Sequence, residues 1–299
     1  MKLKQGIALV LSTVLLAGLV AGCQPQSYTD DAGRQVDIDK APQRIITFGP
    51  SITEILFALG LDDRIVGVSD FCDYPQAAQD KPKVGNSFSP SIEKVVELEP
   101  DLVMTVEHEQ FNSELEGLGI TYVVLDPEDV RSIMDTIRLA GEVTGRTKEG
   151  NRLASDMEKV ISDVTTRVEG AARPTVFFMV DGTDPNMPWT AGGGSFIHDV
   201  ITIAGGENIA SRVVDDYTQL SIEEIVNADP DFIIIQTMMG GVPTVAVEVL
   251  EQHPIWQQLS AVKEGNIYLI NGDLVSRPGP RITQGLEEMA KILHPELFD

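Results

Sequence analysis

From Arg44 onward the chain alternates short apolar runs with stretches whose apolar positions recur every three to four residues. The short runs suit buried strands, and the recurring positions suit helices packed by one face. "RIITF" at 44–48 is predicted as a strand. "PSITEILFALG" follows as a helix, with Ser51 and Glu54 spaced as a capping box and Gly60 as its stop. "RIVGVS" is the next strand; then come a helix from Ser91, the strand "DLVMTV", a helix near Leu115, the strand "TYVVLD" and a helix from Asp129 to Thr144. Strands alternating with helices of this length pair in parallel through right-handed crossovers. Residues 44–147 therefore read as one α/β lobe.

Residues 148–172 break this rhythm with one long polar helix whose only apolar stripe is Leu153, Met157, Val160, Ile161, Val164 and Val168. It would span roughly 30 Å, the width of a domain, and so reads as a strut. After Pro174 the alternation resumes with "TVFFMV", "SFIHDVITIAGG", a helix and strand from Ser221, "NIYLI" and a last helix from Pro280 to Leu293. The predicted fold class is α/β: two similar lobes with mainly parallel central sheets, 44–147 and 173–299, joined by one long interdomain helix.

The same helix and strand are spelled twice, "SIEKVVELEPDLVMT" at 91–105 and "SIEEIVNADPDFIII" at 221–235. Serine, isoleucine and glutamate open both copies, and Pro-Asp precedes both strands. An acidic residue in a first helical turn is ordinary stabilisation, about 0.3 to 1 kcal/mol against the helix dipole. In the second copy, however, Glu224 already completes a capping box with Ser221, which leaves Glu223 spare. Glu93 and Glu223 are thus open to a function beyond their helices.

The N-terminus carries a different pattern. Lys2 and Lys4 precede an apolar run from Ile7 to Val20 that ends in "VAGC". Positive charge before a short apolar core predicts a signal peptide over 1–22. "LVAGC" resembles the bacterial lipobox, which implies that Cys23 is lipid-modified; an ordinary signal or an anchor helix is the alternative. Residues 23–43 then form a tether and a small hairpin, with turn chemistry at Asp31 to Gly33.

Composition narrows the function. The chain of 299 residues is 42% hydrophobic and 23% charged, long enough for two cored lobes. Its formal charge of −24 argues against nucleic acid, and losing a leader with two lysines and no acid moves it to −26. With Cys23 acylated, Cys72 has no disulfide partner and is expected as a buried thiol. "GGGSF" around Ser195 lacks the closing glycine of a nucleophile elbow, and "TAGGGS" lacks a P-loop lysine. Four histidines show no paired spacing for zinc. Neither an enzyme nor a resident cofactor is expected.

"RIITFGPSITEILFALGLDDRIVGVSDFCDYP", "SIEKVVELEPDLV", "PWTAGGGSFIHDVITIAGGENIA" and "SRPGPRI" resemble the solute-binding proteins of ABC transporters for cobalamin and iron complexes, in the same order from Tyr28 to the end. The resemblance implies a ligand cleft between the lobes, and one surface glutamate per lobe for arginine pockets on a permease dimer with its ATPase subunits. Glu93 and Glu223 match those positions. It implies a lipid-anchored, extracytoplasmic monomer that binds a small-molecule metal chelate, first a corrinoid such as cobalamin, alternatively a ferric siderophore or haem. Phe71, Trp189, Asp273 and Arg277 match cleft positions, whereas two cleft tryptophans are replaced near Ser87 and Val106.

Independently, loops after the carboxyl ends of parallel strands are where such lobes bind ligands. They contain Phe71 and Phe88, Glu107 with His108, Trp189, Met238 with Met239, and Asp273 to Arg277. His108 and Met238 are candidates for an axial pair on haem iron, against a plain reading as surface histidine and apolar lining. Arg277 could hold a turn through Asp273. Arg281, at a helix start, requires a carboxylate from protein or ligand.

Overall fold

A computed structural model describes residues 26–238 and 241–298. The leader, Cys23 and Met239 lie outside the described residues. The chain opens with the expected antiparallel hairpin, β1 (Gln26–Thr29) and β2 (Gln35–Ile38), turning at Gly33 with φ 75°. Asp30 accepts a hydrogen bond from the Val124 N–H at 3.0 Å, which fastens the hairpin to the first lobe.

That lobe runs β3 (Ile45–Phe48), α1 (Pro50–Ala58), β4 (Ile65–Val68), a small hairpin of β5 (Gly85–Asn86) and β6 (Ser89–Pro90), α2 (Ile92–Glu97), β7 (Leu102–Thr105), α3 (Glu109–Gly117), β8 (Tyr122–Val124) and α4 (Val130–Val143). Its four-stranded sheet has the order β4-β3-β7-β8, and every pairing is parallel. Helices cover both faces, so neighbouring side chains of one strand enter different cores. Ile45 packs with Ile52 and Ile55 on one side, and Ile46 and Phe48 with Phe111 and Leu115 on the other.

The long helix α5 (Thr147–Val168) leads to β9 (Thr175–Asp181), β10 (Trp189–Ala191), α6 (Phe196–Ile203), β11 (Glu207–Asn208), β12 (Tyr217–Gln219), α7 (Ile222–Ala228), β13 (Phe232–Thr237), α8 (Val247–Gln252), α9 (Ser260–Glu264), β14 (Ile267–Asn271), α10 (Gly272–Val275), α11 (Ile282–Leu293) and α12 (Pro295–Phe298). Here β9, β13 and β14 are parallel, but β10 and β12 form an antiparallel edge. The second sheet is therefore mixed, and Trp189 opens a strand held between β9 and β12 where the sequence predicts a loop.

α5 packs against α4 of the first lobe and against α6 and α11 of the second. Gly141 and Gly150 make the first crossing close: a Cβ on Gly150 would lie 3.2 Å from the Gly141 Cα. One core runs unbroken from Ile137 and Ala140 through Ala154, Met157 and Val164 to Ile201 and Met289. The strut is thus packed into both lobes, not free between them.

The repeat has a structural basis in two places. Glu99 and Asp229 both adopt left-handed φ, 43° and 40°, just before the two Pro-Asp pairs. Asp101 accepts from the Gln43 and Arg44 N–H groups at 2.7 and 2.9 Å, and Asp231 from the Thr175 N–H at 2.7 Å. Each aspartate thus clasps the start of the neighbouring strand. Ser221 and Glu224 form the capping box predicted for α7, whereas the Ser91 side chain makes no cap.

The capping box predicted for α1 is wrong. Gly49 is the N-cap, Pro50 fills the first turn, and Ser51 and Glu54 are both buried. Proline suits that position because its missing N–H would go unpaired there anyway. Glu54 is consequently free for another partner.

Candidate functional site

The loops at the carboxyl ends of β3, β4, β7 and β8 face those of the second lobe, and the two sets meet through charge. Arg277 donates from Nη1 to Asp73 at 2.7 Å and to Glu54 at 3.1 Å, while its Nη2 lies 2.8 Å from Asp273. Arg281 grips Glu54 with two bonds, Nε to Oε2 at 2.7 Å and Nη2 to Oε1 at 2.6 Å. Its guanidinium also lies 4.0 Å from the Tyr74 ring centroid, a cation–π contact. Only 2% of the Glu54 side chain is exposed, against 10% of Arg277 and 12% of Arg281. Burial works against the charge on each arginine, but the carboxylates outweigh it and raise both above the ordinary value.

Beside this seam, residues of both lobes line a cavity of about 370 Å³. Ser51, Glu107 and Asp126 come from the first lobe; Ser195, Asp216 and Pro278 come from the second. Asp31 reaches the wall from the N-terminal hairpin, where it accepts from the Asp126 N–H at 2.8 Å and the Thr136 hydroxyl at 2.7 Å. The protein packed around Asp31 and Asp126 pushes both carboxyls above the usual range. Glu107, Asp31 and Glu128 add repulsion at Asp126, partly offset by the Glu107 N–H that it accepts.

The residues predicted from sequence separate into two groups. Phe71, Trp189 and Met238 are 43%, 43% and 58% exposed, and Phe88, on the turn between β5 and β6, is 92% exposed. These side chains offer open apolar surface, but none of them is among the residues that line the cavity. Arg277 and Asp273 are instead engaged with each other, so that guanidinium is occupied by protein carboxylates. Arg281 obtains its required carboxylate from the protein, as Glu54.

His108 is committed to the fold. It caps α3, its Nδ1 accepting from the Phe111 N–H at 3.2 Å, which places the proton on Nε2 for the Ser87 carbonyl at 2.9 Å. Neither ring nitrogen keeps a free lone pair, which speaks against an axial role. Cys72 is buried as expected, its sulfur 3.0 Å from the Thr53 hydroxyl and 3.2 Å from that of Ser69. Among the described residues no group of three or more His, Cys, Asp or Glu side chains is placed to hold a metal. The three glycines of "TAGGGS" serve packing: a Cβ on Gly192, Gly193 or Gly194 would run into the carbonyls of Asp215, Ser211 or Val214.

Sequence reasoning missed Glu54, Asp31, Asp126, Glu128 and Asp216. Glu54 carried one legible signal: "GP" already opens α1, so the glutamate has no capping work, and "SRPGPRI" holds two arginines that need carboxylates. Glu93 and Glu223 are exposed at the starts of α2 and α7, and among the described residues neither carboxylate makes a hydrogen bond or ion pair. Each helix precedes a parallel strand, so each glutamate stands at its own lobe's strand-end edge. Among the described residues no helix is long and apolar enough to cross a membrane.

This architecture has known counterparts. An uncharacterized ABC transporter substrate-binding lipoprotein of Bacillus subtilis is 31% identical, the match covering all of this chain and 99% of the relative. The periplasmic vitamin B12 binding protein of Vibrio cholerae superposes with a TM-score of 0.74 at 27% identity, over 85% of this chain and 98% of that one. A possible iron-binding periplasmic protein of Staphylococcus epidermidis gives the same TM-score and identity, over 85% of this chain and 100% of that one. The family model described as periplasmic binding protein matches residues 45–274, and the chain belongs to that family.

Proposed function

We propose that this chain captures a metal-chelate nutrient, first a corrinoid, outside the cytoplasmic membrane and delivers it to an ABC importer. The observation that supports this best is the cavity lined by residues of both lobes, with Phe71, Phe88 and Trp189 exposed outside its lining. Aromatic faces supply contact area to a large flat ligand at little entropic cost. The likeness to a vitamin B12 binding protein favours cobalamin within that class. The equal likeness to a possible iron-binding protein keeps a ferric siderophore as the second reading. Haem is the weaker iron candidate, since both nitrogens of His108 are occupied.

In this role the protein performs no catalysis. Glu93 and Glu223, one per lobe and without hydrogen-bond or ion-pair partners among the described residues, are the docking contacts for arginines on the permease. Lipidation of Cys23 would hold the protein at the membrane, a reading that the lipoprotein name of the Bacillus subtilis relative favours.

Calorimetric titration of the mature protein with cyanocobalamin, a ferric hydroxamate and haemin tests the reading. The corrinoid is expected to bind tightest. Binding of the iron chelate alone would shift the solute to the second reading, and binding of none would remove the transport role.

A further inference from the structure

Five carboxylates, Asp31, Glu107, Asp126, Glu128 and Asp216, stand among the described residues that line the cavity, and no lysine, arginine or histidine does. All five residues keep exposed surface. Positive charge does reach the lobe seam, but it is already matched. Arg277 and Arg281 meet Glu54, Asp73 and Asp273, so that cluster of two cations and three anions is itself negative.

Four helix starts oppose this charge. α1 begins beside Ser51, α3 just after Glu107, α4 just after Glu128 and α6 beside Ser195, and all four residues line the cavity. A helix N-terminus is equivalent to roughly half a positive charge at most, so the four together offset about two carboxylates of five. Asp199, in the first turn of α6, reduces the contribution of that helix further. The field in the cavity is therefore negative, and low-dielectric walls strengthen it.

We infer that this cavity accepts chelates that turn neutral amide donors or positive charge toward Asp31, Glu107, Asp126, Glu128 and Asp216, and rejects chelates with peripheral carboxylates or catecholates. The inference rests on the proposed capture of a metal chelate and names the charge class of that solute. An amide-rimmed corrinoid or a cationic ferric hydroxamate satisfies it; a porphyrin with ionised propionates does not. Burial raises the carboxyls of Asp31 and Asp126, and at Asp126 the like charges of Glu107, Asp31 and Glu128 add to it.

The test compares solutes of one shape and different charge. Titrations would use cyanocobalamin against its peripheral monocarboxylic acids, and ferrioxamine B against its N-succinyl derivative, each at low and high salt. For the chelate class that binds, the anionic form is expected to bind at least about tenfold more weakly, with the gap narrowing in salt. The triple variant Glu107→Gln, Glu128→Gln, Asp216→Asn should bring the two forms within about threefold of each other. Among the described residues these three carboxylates make no hydrogen bond or ion pair, so the exchange removes charge without unpairing a neighbour. Equal affinity for both forms, or a ratio unchanged in the triple variant, would overturn the inference. Tight binding of haemin or a ferric catecholate alone would also overturn it and leave the transport reading standing. Binding of no chelate at all would instead remove the transport reading on which it depends.

Discussion

Glu54 and Arg281, 227 positions apart in the chain, form a two-bond ion pair that joins the lobes, Nε to Oε2 at 2.7 Å and Nη2 to Oε1 at 2.6 Å. Fork-to-fork geometry fixes direction as well as distance, so the pair sets how the two lobes face each other. Arg277 shares Glu54 and adds Asp73, also of the first lobe.

Glu54→Gln would leave two buried guanidinia short of charge. Removing one member of a buried pair costs about 3 to 5 kcal/mol, and urea unfolding should show a loss in that range. Ser51→Ala should cost less than about 0.5 kcal/mol, because Gly49 and not Ser51 caps α1. The reverse ranking would restore the capping-box interpretation.

The contrast between those two residues shows what a sequence can carry. Local signals were legible: the alternation that gives β3 to α4, the stripe of α5, the Ser221–Glu224 box and the hairpin turn at Gly33. Each depends on residues close in sequence, where spacing alone fixes geometry. Glu54 satisfied a local template and was misread, since its real partners lie in a segment that only the folded sheets bring near. The cavity wall was hidden for the same reason, with Asp31, Asp126 and Asp216 on three separate segments. The antiparallel edge of β10 and β12 was missed because three-residue strands beside a run of glycines show no periodicity.

Asp126 gives a pH signature. Its carboxyl is raised in the folded protein, first by the protein packed around it and then by neighbouring charges, despite the Glu107 N–H. At neutral pH the folded state therefore carries a penalty, which disappears as pH falls below the ordinary carboxylate value and both states become protonated. Asp126→Asn keeps an acceptor for that N–H and removes the charge. The variant is expected to be at least as stable as the parent at pH 7 and to lose its advantage by about pH 3, in thermal melts across that range. An advantage that grows on acidification would contradict the assigned direction.

Trp189 and Arg277 should separate affinity from stability. Trp189, 43% exposed at the start of β10, is expected to lose about 1 to 3 kcal/mol of binding on Trp189→Ala with little change in the melt. Arg277→Ala should lower the melting temperature, since Asp73, Asp273 and Glu54 lose their shared cation. A Trp189→Ala variant that binds cobalamin like the parent would take this ring out of the site.

Docking and helix support also come apart. If Glu93 and Glu223 serve only their helices, exchange for glutamine costs a few tenths of a kcal/mol and leaves transport unchanged. If they enter arginine pockets, the double variant Glu93→Gln, Glu223→Gln binds solute normally but couples poorly, each unpaired arginine costing about 1 to 3 kcal/mol. Solute-stimulated ATP hydrolysis by the cognate importer, at limiting binding protein, distinguishes the two. Full stimulation by the double variant would remove the docking role.

Solute delivery is the decisive measurement of the transport role. Cognate importer is reconstituted in liposomes, the mature protein is loaded with radiolabelled cobalamin, and ATP is enclosed on the nucleotide-binding side. ATP-dependent accumulation of label is expected, requiring the protein and falling sharply with the glutamate double variant. Uptake that proceeds equally without the protein, or loaded protein that never releases its solute to the importer, would contradict it.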